Sequence, residues 1–290
     1  MKLPTVVYLG SLPINLYWGF IFLTLAVCII YNVWAAQMYG FKVWKVIICT
    51  LLFFGYNWGM SYLLTGIEEG FEKVAANGVR AWIYVPFFFL VCSLIIKDKK
   101  ARVMDMMAPC LVLGIGMGHF GCMFPGCCHG YHYEGPLKLW SNTANDWTFP
   151  IQLVECVVAT AIFVVLVVIM VKNKFKTTGR QYPLLLIMFG LTRFVIEFWR
   201  DNEKIVGNVS SLAIHALFGA VVGIVWLILT TAQGRIFCIK LTNWLKKLFK
   251  SKIPLKEVIT VEEMKERMKQ EKEASIIKPQ KVATVESSNN

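Results

Sequence analysis

Acidic residues are scarce in this chain. Its 290 residues carry 18 Asp and Glu against 30 Lys and Arg, and charged residues make up only 17%. A soluble domain of this length is more polar. No small-residue cleavage site follows the first apolar run, which excludes a cleavable signal there. No internal repeat is visible, and the paired C-x-x-C spacing of a tetrahedral metal site is missing.

What is present is apolar. The hydrophobic fraction is 57%, mean hydropathy is +0.57 and aromatics reach 14%. Apolar runs recur near the ~20 residues that cross hydrocarbon. Seven spans are expected: Ile14–Ala36, Val43–Leu64, Val79–Ile96, Val103–Phe124, Ile151–Val171, Tyr182–Trp199 and Leu212–Thr231. The fold class is therefore an all-α polytopic membrane protein with seven transmembrane helices.

Alternate loops are basic. Lys42 and Lys45 follow the first span, Lys97, Lys99, Lys100 and Arg102 the third, and Lys172, Lys174, Lys176 and Arg180 the fifth. Positive loops stay cytoplasmic, so the N-terminus is expected outside and the C-terminus in the cytoplasm. The net charge of +12 then reflects topology and tail, and no nucleic-acid partner is implied. Three regions are expected. Residues 1–233 form the transmembrane domain. Residues 234–256 form a basic amphipathic helix on the membrane surface, with Ile236, Ile239, Trp244 and Leu248 set among Lys240, Lys246, Lys247 and Lys250. Residues 257–290 form a cytoplasmic tail, partly helical and then disordered.

Ionisable residues inside a span are functional candidates by default. In "GLTRFVIEFWRDN", Arg193 and Glu197 are four apart on one helix face, with Arg200 on the same side a turn later. The plain reading is a buried pair that neutralises itself. The functional one is an anion site in which Glu197 aims an Arg193 fork at a phosphate. "PIQLVEC" starts the fifth span with Pro150 and sets Gln152 and Glu155 three apart, toward the bundle interior.

The densest stretch is "GHFGCMFPGCCHGYHYEG", Gly118–Gly135. Gly114, Gly116, Gly118 and Gly121 allow close helix approach. Pro125-Gly126 ends the helix, and Gly126 and Gly130 permit backbone amides to converge on an anion. Cys122, Cys127, Cys128 and His129 are soft-metal ligands by type, but adjacent cysteines rarely serve one tetrahedral site without strain, so no metal is expected. A disulfide from Cys122 to Cys127 or Cys128 and simple apolar burial are the other readings. His129 and His132 are expected in solvent, and His215 as a hydrogen-bonded bundle residue.

These motifs carry a resemblance. "GxxGCxxxGCCxG" closing span four, "PIQLVE", "GLTRFVIEFWRD", "LYWGFIF" in span one and "MDMMAP" entering span four resemble the phosphatidylglycerol–prolipoprotein diacylglyceryl transferases of bacterial inner membranes, over roughly Leu16 to Trp226. The resemblance implies a multi-pass inner-membrane lipid-group transferase that uses no cofactor. Its lipid is phosphatidylglycerol or another anionic phospholipid, and its acceptor the lipobox cysteine of a preprolipoprotein. The thiolate attacks the glyceryl carbon and glycerol phosphate leaves. Arg193 and Glu197 fall on the family's Arg and Glu, and Gly121 and Gly130 on signature glycines.

The chain departs from the pattern at several positions. His119 replaces an Arg, Cys122 an Asn and Cys127 an acidic residue. Trp18 stands for a Tyr, with Tyr17 one place earlier. Val79 and Arg80 occupy a His-Gly position, and Val154 replaces a Tyr. The resemblance thus assigns catalysis to His119, Arg193 and Glu197, His119 acting as clamp or proton acceptor. Substrate binding falls to Trp18, Gly121, Cys122, Gly126, Gly130, Gln152, Glu155 and Arg200. Two other readings stand beside this one: a relative acting on another lipid or acceptor, with Cys122 or Cys127 as nucleophile, and a silent lipid- or lipoprotein-binding membrane protein.

Overall fold

A computed structural model describes residues 1–71, 84–173, 179–231, 236–237, 239–243 and 266. The chain divides into two units, Met1–Leu227 and Ile228–Asn290. Of the expected surface helix over 234–256, residues 236–237 and 239–243 are described and are helical, and of the tail over 257–290 only residue 266 is described. Val79 and Arg80 lie outside the described residues.

The first unit opens on an antiparallel hairpin, β1 (Val6–Leu9) and β2 (Leu12–Asn15). Gly10 turns it with φ +63°, a left-handed angle glycine adopts without Cβ strain. The first helix, α1 (Leu16–Tyr39), starts two residues later than the hydropathy edge at Ile14. Asn15 caps it, its Oδ1 accepting from the Tyr17 amide at 3.0 Å. Then come α2 (Val43–Glu69), α3 (Val85–Ile96), α4 (Lys100–Cys122), α5 (Ile151–Lys172), α6 (Gln181–Ile196) with a 3₁₀ turn over Glu197–Trp199, and α7 (Ser211–Leu229). Two further antiparallel hairpins sit in connections: β3 (Leu139–Ser141) with β4 (Asp146–Thr148), and β5 (Lys204–Val206) with β6 (Val209–Ser210). The three hairpins are strands that the all-α reading did not contain. They are too short and too far from period-2 patterning to show against the apolar runs.

Six helices are long and apolar enough to cross a membrane: α1, α2, α4, α5, α6 with its 3₁₀ turn, and α7. This is a mostly helical, multi-pass membrane protein. The expected third span appears as α3, of 12 residues, with apolar composition. Its expected start, Val79, falls outside the described residues.

The centre of the bundle is α4, which packs most extensively on α5 and α1. Its small residues explain the approach. A Cβ on Gly116 would sit 2.9 Å from the Ala159 Cβ of α5, and one on Gly121 would sit 3.1 Å from the Phe20 Cβ of α1. Gly118 meets nothing within 4 Å, so that position is not part of the contact. Pro109 lies inside α4. Asp105, also on α4, is buried and accepts from the Gly179 and Gln181 amides at 2.8 and 3.1 Å, which satisfies otherwise orphaned donors at the start of α6.

Candidate functional site

Three elements meet at one end of the bundle: the last turns of α4, the first turn of α5, and the end of α6 with its 3₁₀ turn. Each brings charge into a buried place. Glu155 is 2% exposed, Arg193 1%, Glu197 1% and Arg200 3%. Glu155 is the hub. Its carboxylate contacts the Arg193 and Arg200 guanidinium groups, and its Oε2 lies 3.0 Å from His119 Nε2. Arg193 Nη2 also pairs with Glu197 Oε2 at 3.0 Å, one helical turn along α6. Glu197 Oε1 accepts from Ser210 Oγ at 2.8 Å and from Asn202 Nδ2.

The sequence reading of Arg193 and Glu197 as inward-facing neighbours therefore describes the geometry. It missed the stronger relationship. Glu155 bridges both arginines from a different helix, and Ser210 and Asn202 hold Glu197. Nothing in the spacing of "PIQLVEC" and "GLTRFVIEFWRDN" links those segments, although two arginines facing inward required a second carboxylate. Among the described residues, Arg193 Nε and Arg200 Nε remain buried without hydrogen-bond partners, as does Gln152 Oε1. Such orphaned donors are costly unless a ligand meets them.

His119 is held at both ring nitrogens. Nδ1 lies 3.0 Å from the Ile115 carbonyl oxygen, and Nε2 faces Glu155 as above. A neutral imidazole has one N–H, which can serve one of these two oxygens.

The glycine-rich exit of α4 behaves differently from the expected anion nest. The Gly126 amide donates to the Cys122 carbonyl at 3.1 Å and the Gly130 amide to Phe149 O at 3.2 Å. Both amides are engaged inside the fold. A Cβ on Gly130 would lie 2.9 Å from the carbonyl oxygens of Phe149 and Trp199, so this glycine serves close backbone packing. Gln152, expected at the substrate, donates from Nε2 to the Cys127 carbonyl at 2.7 Å. Trp18 is 41% exposed and stacks on Trp58 at 5.5 Å. Its neighbour Tyr17 is the residue beside Gly121 and the thiols of Cys122, Cys127 and Cys128. A helix separates adjacent side chains by about 100°, so only one of the pair can face the site.

Those three cysteines are free thiols, and their sulfurs lie within 4.8 Å of one another. Among the described residues they form the group able to hold a metal ion. The strain that adjacent cysteines need in order to converge is carried by Cys128, whose φ of +58° turns the chain at that residue. Hydrogen bonds from the Cys122 and Cys127 thiols, with Arg200 close by, hold the Cys128 thiol well below the ordinary thiol range. His129 Nδ1 faces the Gly130 carbonyl at 3.1 Å, and His132 pairs with Asp146 at 2.8 Å on the exposed loop. His215 bonds the Ser211 carbonyl at 2.8 Å within α7, the expected bundle role.

A cavity of about 290 Å³ lies elsewhere, lined by Ile169, Asn173, Arg180, Gln181, Leu184 and Leu227. It occupies the opposite ends of α5 and α6 from Glu155 and Arg193, and carries no comparable group of catalytic side chains.

Residues 78–229 match the model of the family described as prolipoprotein diacylglyceryl transferase, a stretch that contains every member of the buried cluster. The chain belongs to that family. Individual relatives agree. The phosphatidylglycerol–prolipoprotein diacylglyceryl transferase of Clostridium tetani (strain Massachusetts / E88) is 28% identical over 129 residues, 42% of this chain and 51% of the relative. Transferase 2 of the same description from Clostridium perfringens (strain 13 / Type A) is 26% identical over 149 residues, 50% of this chain and 58% of the relative. The enzyme so described from Dehalococcoides mccartyi (strain ATCC BAA-2266 / KCTC 15142 / 195) is 25% identical over 137 residues, 46% and 50% respectively. The chain spans about half the length of the curated relatives it matches.

Proposed function

We propose that the chain is a phosphatidylglycerol–prolipoprotein diacylglyceryl transferase of the bacterial inner membrane, with seven spans, an outside N-terminus and a cytoplasmic C-terminus. The observation that carries this reading is the pair of buried guanidinium groups, Arg193 and Arg200, gathered on Glu155 with Glu197 beside them. The unpartnered Nε groups of Arg193 and Arg200 supply donors that a phosphate oxygen would satisfy.

In this reading Arg193, held by Glu197 and Glu155, clamps the phosphate of phosphatidylglycerol and Arg200 assists. The lipobox thiolate attacks the glyceryl carbon. A C–S bond forms, the C–O bond to phosphate breaks, and its electron pair leaves on glycerol phosphate. The acceptor's thiol proton passes to His119, and the Arg193 and Arg200 guanidinium groups stabilise the charge on the departing phosphate. Gly121 keeps α4 against α1. Gln152 and the Gly126–Gly130 backbone position the loop that carries Cys122, and Trp18 contacts lipid at the bundle surface. The family match over residues 78–229 supports the chemistry independently of the geometry.

Depletion of the host's own transferase in a bacterium expressing this chain tests the reading. Rescue, with a diacylglyceryl mass shift on the lipoprotein cysteine, is expected. Stable insertion without rescue or mass shift would refute it.

A further inference from the structure

The thiol group next to the charge cluster has no part in the phosphate chemistry above, yet it is built as a site. Cys122 ends α4, and Cys127 and Cys128 return after a tight turn. The three sulfurs come within 4.8 Å of one another. Zinc–thiolate bonds are about 2.3 Å long, which puts sulfurs in a tetrahedral site about 3.8 Å apart. The observed triangle needs to contract by about 1 Å, within reach of side-chain rotation.

The backbone around the triangle is fixed. The Cys122 carbonyl accepts from Gly126 N at 3.1 Å, and the Cys127 carbonyl from Gln152 Nε2 at 2.7 Å. The Gly126 carbonyl accepts from Ser141 Oγ at 2.7 Å and Thr143 Oγ1 at 3.0 Å. Cys128 itself is held at φ +58°, a conformation uncommon for a residue with a Cβ and concentrated at ligand clamps. Anchored carbonyls and a strained ligand residue describe a preorganised donor set, not three cysteines filling apolar space.

Among the described residues, no fourth His, Cys, Asp or Glu atom joins the three sulfurs within 4.8 Å. Both nitrogens of His119 are engaged, by Ile115 O and Glu155, and His129 Nδ1 is on the Gly130 carbonyl. Cys122 and Cys127 are half-buried while Cys128 is exposed, so an ion held there keeps an open face. Three protein ligands plus an open position is the arrangement of a catalytic zinc, whereas structural zinc is closed by four. A fourth thiol entering such a site is deprotonated outright by the ion.

We propose that Cys122, Cys127 and Cys128 bind one zinc ion whose open position receives the thiol of the acceptor cysteine. The acceptor role rests on the transferase reading; the metal site does not. Each protein thiol and the acceptor thiol releases its proton on binding. The acceptor sulfur then supplies the electron pair for the C–S bond, its proton having passed to His119, and the thioether product binds the ion less strongly and departs.

The test uses the full chain purified in detergent micelles. Elemental analysis should find about one zinc per chain, lost in Cys122→Ser and Cys128→Ser and kept in Cys156→Ser, whose thiol lies outside the group. Cobalt(II) substituted for zinc should give sulfur-to-cobalt charge-transfer bands and tetrahedral visible bands. Adding a lipobox peptide should intensify the charge-transfer band, while its Cys→Ser counterpart should not. Arg193→Lys, which keeps the buried charge, should leave the cobalt spectrum and its peptide response unchanged, so loss of lipid transfer in that variant is separable from loss of the metal site. Substoichiometric metal with wild-type-like retention in the serine variants would overturn the proposal, as would a Cys122–Cys127 or Cys122–Cys128 disulfide trapped by alkylation in intact cells. A cobalt spectrum indifferent to the cysteine peptide would overturn the acceptor role. Diacylglyceryl transfer by metal-free protein would sink this inference and leave the transferase standing. Metal and thiol binding without any transfer would do the reverse.

Discussion

Glu155 Oε2 lies 3.0 Å from His119 Nε2 while the same carboxylate contacts both Arg193 and Arg200. One residue at the start of α5 thus ties the end of α4 to the end of α6. The coupling is energetic as well as geometric, because breaking a buried pair from one side leaves an uncompensated charge.

Removing both partners should therefore cost less than the sum of removing each. Glu155→Gln and Arg193→Gln are each expected to destabilise the protein by about 3–5 kcal/mol, and the double variant by less than their sum. Denaturant unfolding in micelles reads the coupling. Strict additivity would mean the contact does not exist in the membrane-extracted protein.

Lipid transfer should be far more sensitive to Arg193 than folding is to conservative change there. Arg193→Lys keeps a charge but loses the planar fork, and transfer from phosphatidylglycerol to a lipobox peptide should fall by about 10²–10³-fold. Wild-type turnover in Arg193→Lys would rule out a bidentate phosphate contact.

Glycine positions should divide by what their missing Cβ would meet. Gly116→Ala presses on Ala159 at 2.9 Å, and Gly118→Ala meets nothing within 4 Å. The first should cost about 1–3 kcal/mol; the second should unfold like the parent. Equal thermal stability of the two variants would contradict the α4–α5 contact.

The exposed loop should respond to strong acid. The hydrogen bond from His132, then that from the Trp147 amide, lowers the Asp146 carboxyl below its ordinary value. A depressed folded-state carboxyl stabilises above its unfolded value of about 3.9, and the contribution disappears as pH falls through the folded value. Protease nicking of the β3–β4 connection should therefore rise only below about pH 4, and His132→Ala should raise nicking at neutral pH and flatten the acid rise. An acid profile unaffected by His132→Ala would refute the pairing.

Topology is testable at two exposed positions. Leu137→Cys, in the loop after α4, should react with a membrane-impermeant maleimide from outside, and Lys99→Cys, before α4, only from the cytoplasmic face. Labelling of both from one side would reverse or break the assigned orientation.

The amino-acid sequence by itself determined the membrane character, most helix positions and the inward charges of α6. Hydropathy integrates over some 20 residues, and the cost of a charge facing lipid leaves Arg193 and Glu197 few places to point. Helix ends were less legible: Asn15 moved the start of α1 by a local hydrogen bond that no apolar count contains. The site's wiring was decided only by tertiary structure. Glu155 and Arg200 are 45 positions apart, and only the fold brings both arginines to one carboxylate. Cys127 and Cys128 are adjacent, and only the left-handed turn at Cys128 lets their sulfurs meet Cys122. Spacing along a chain encodes a shared face within one helix, but not the angle at which separate helices and a strained turn bring their side chains to one point.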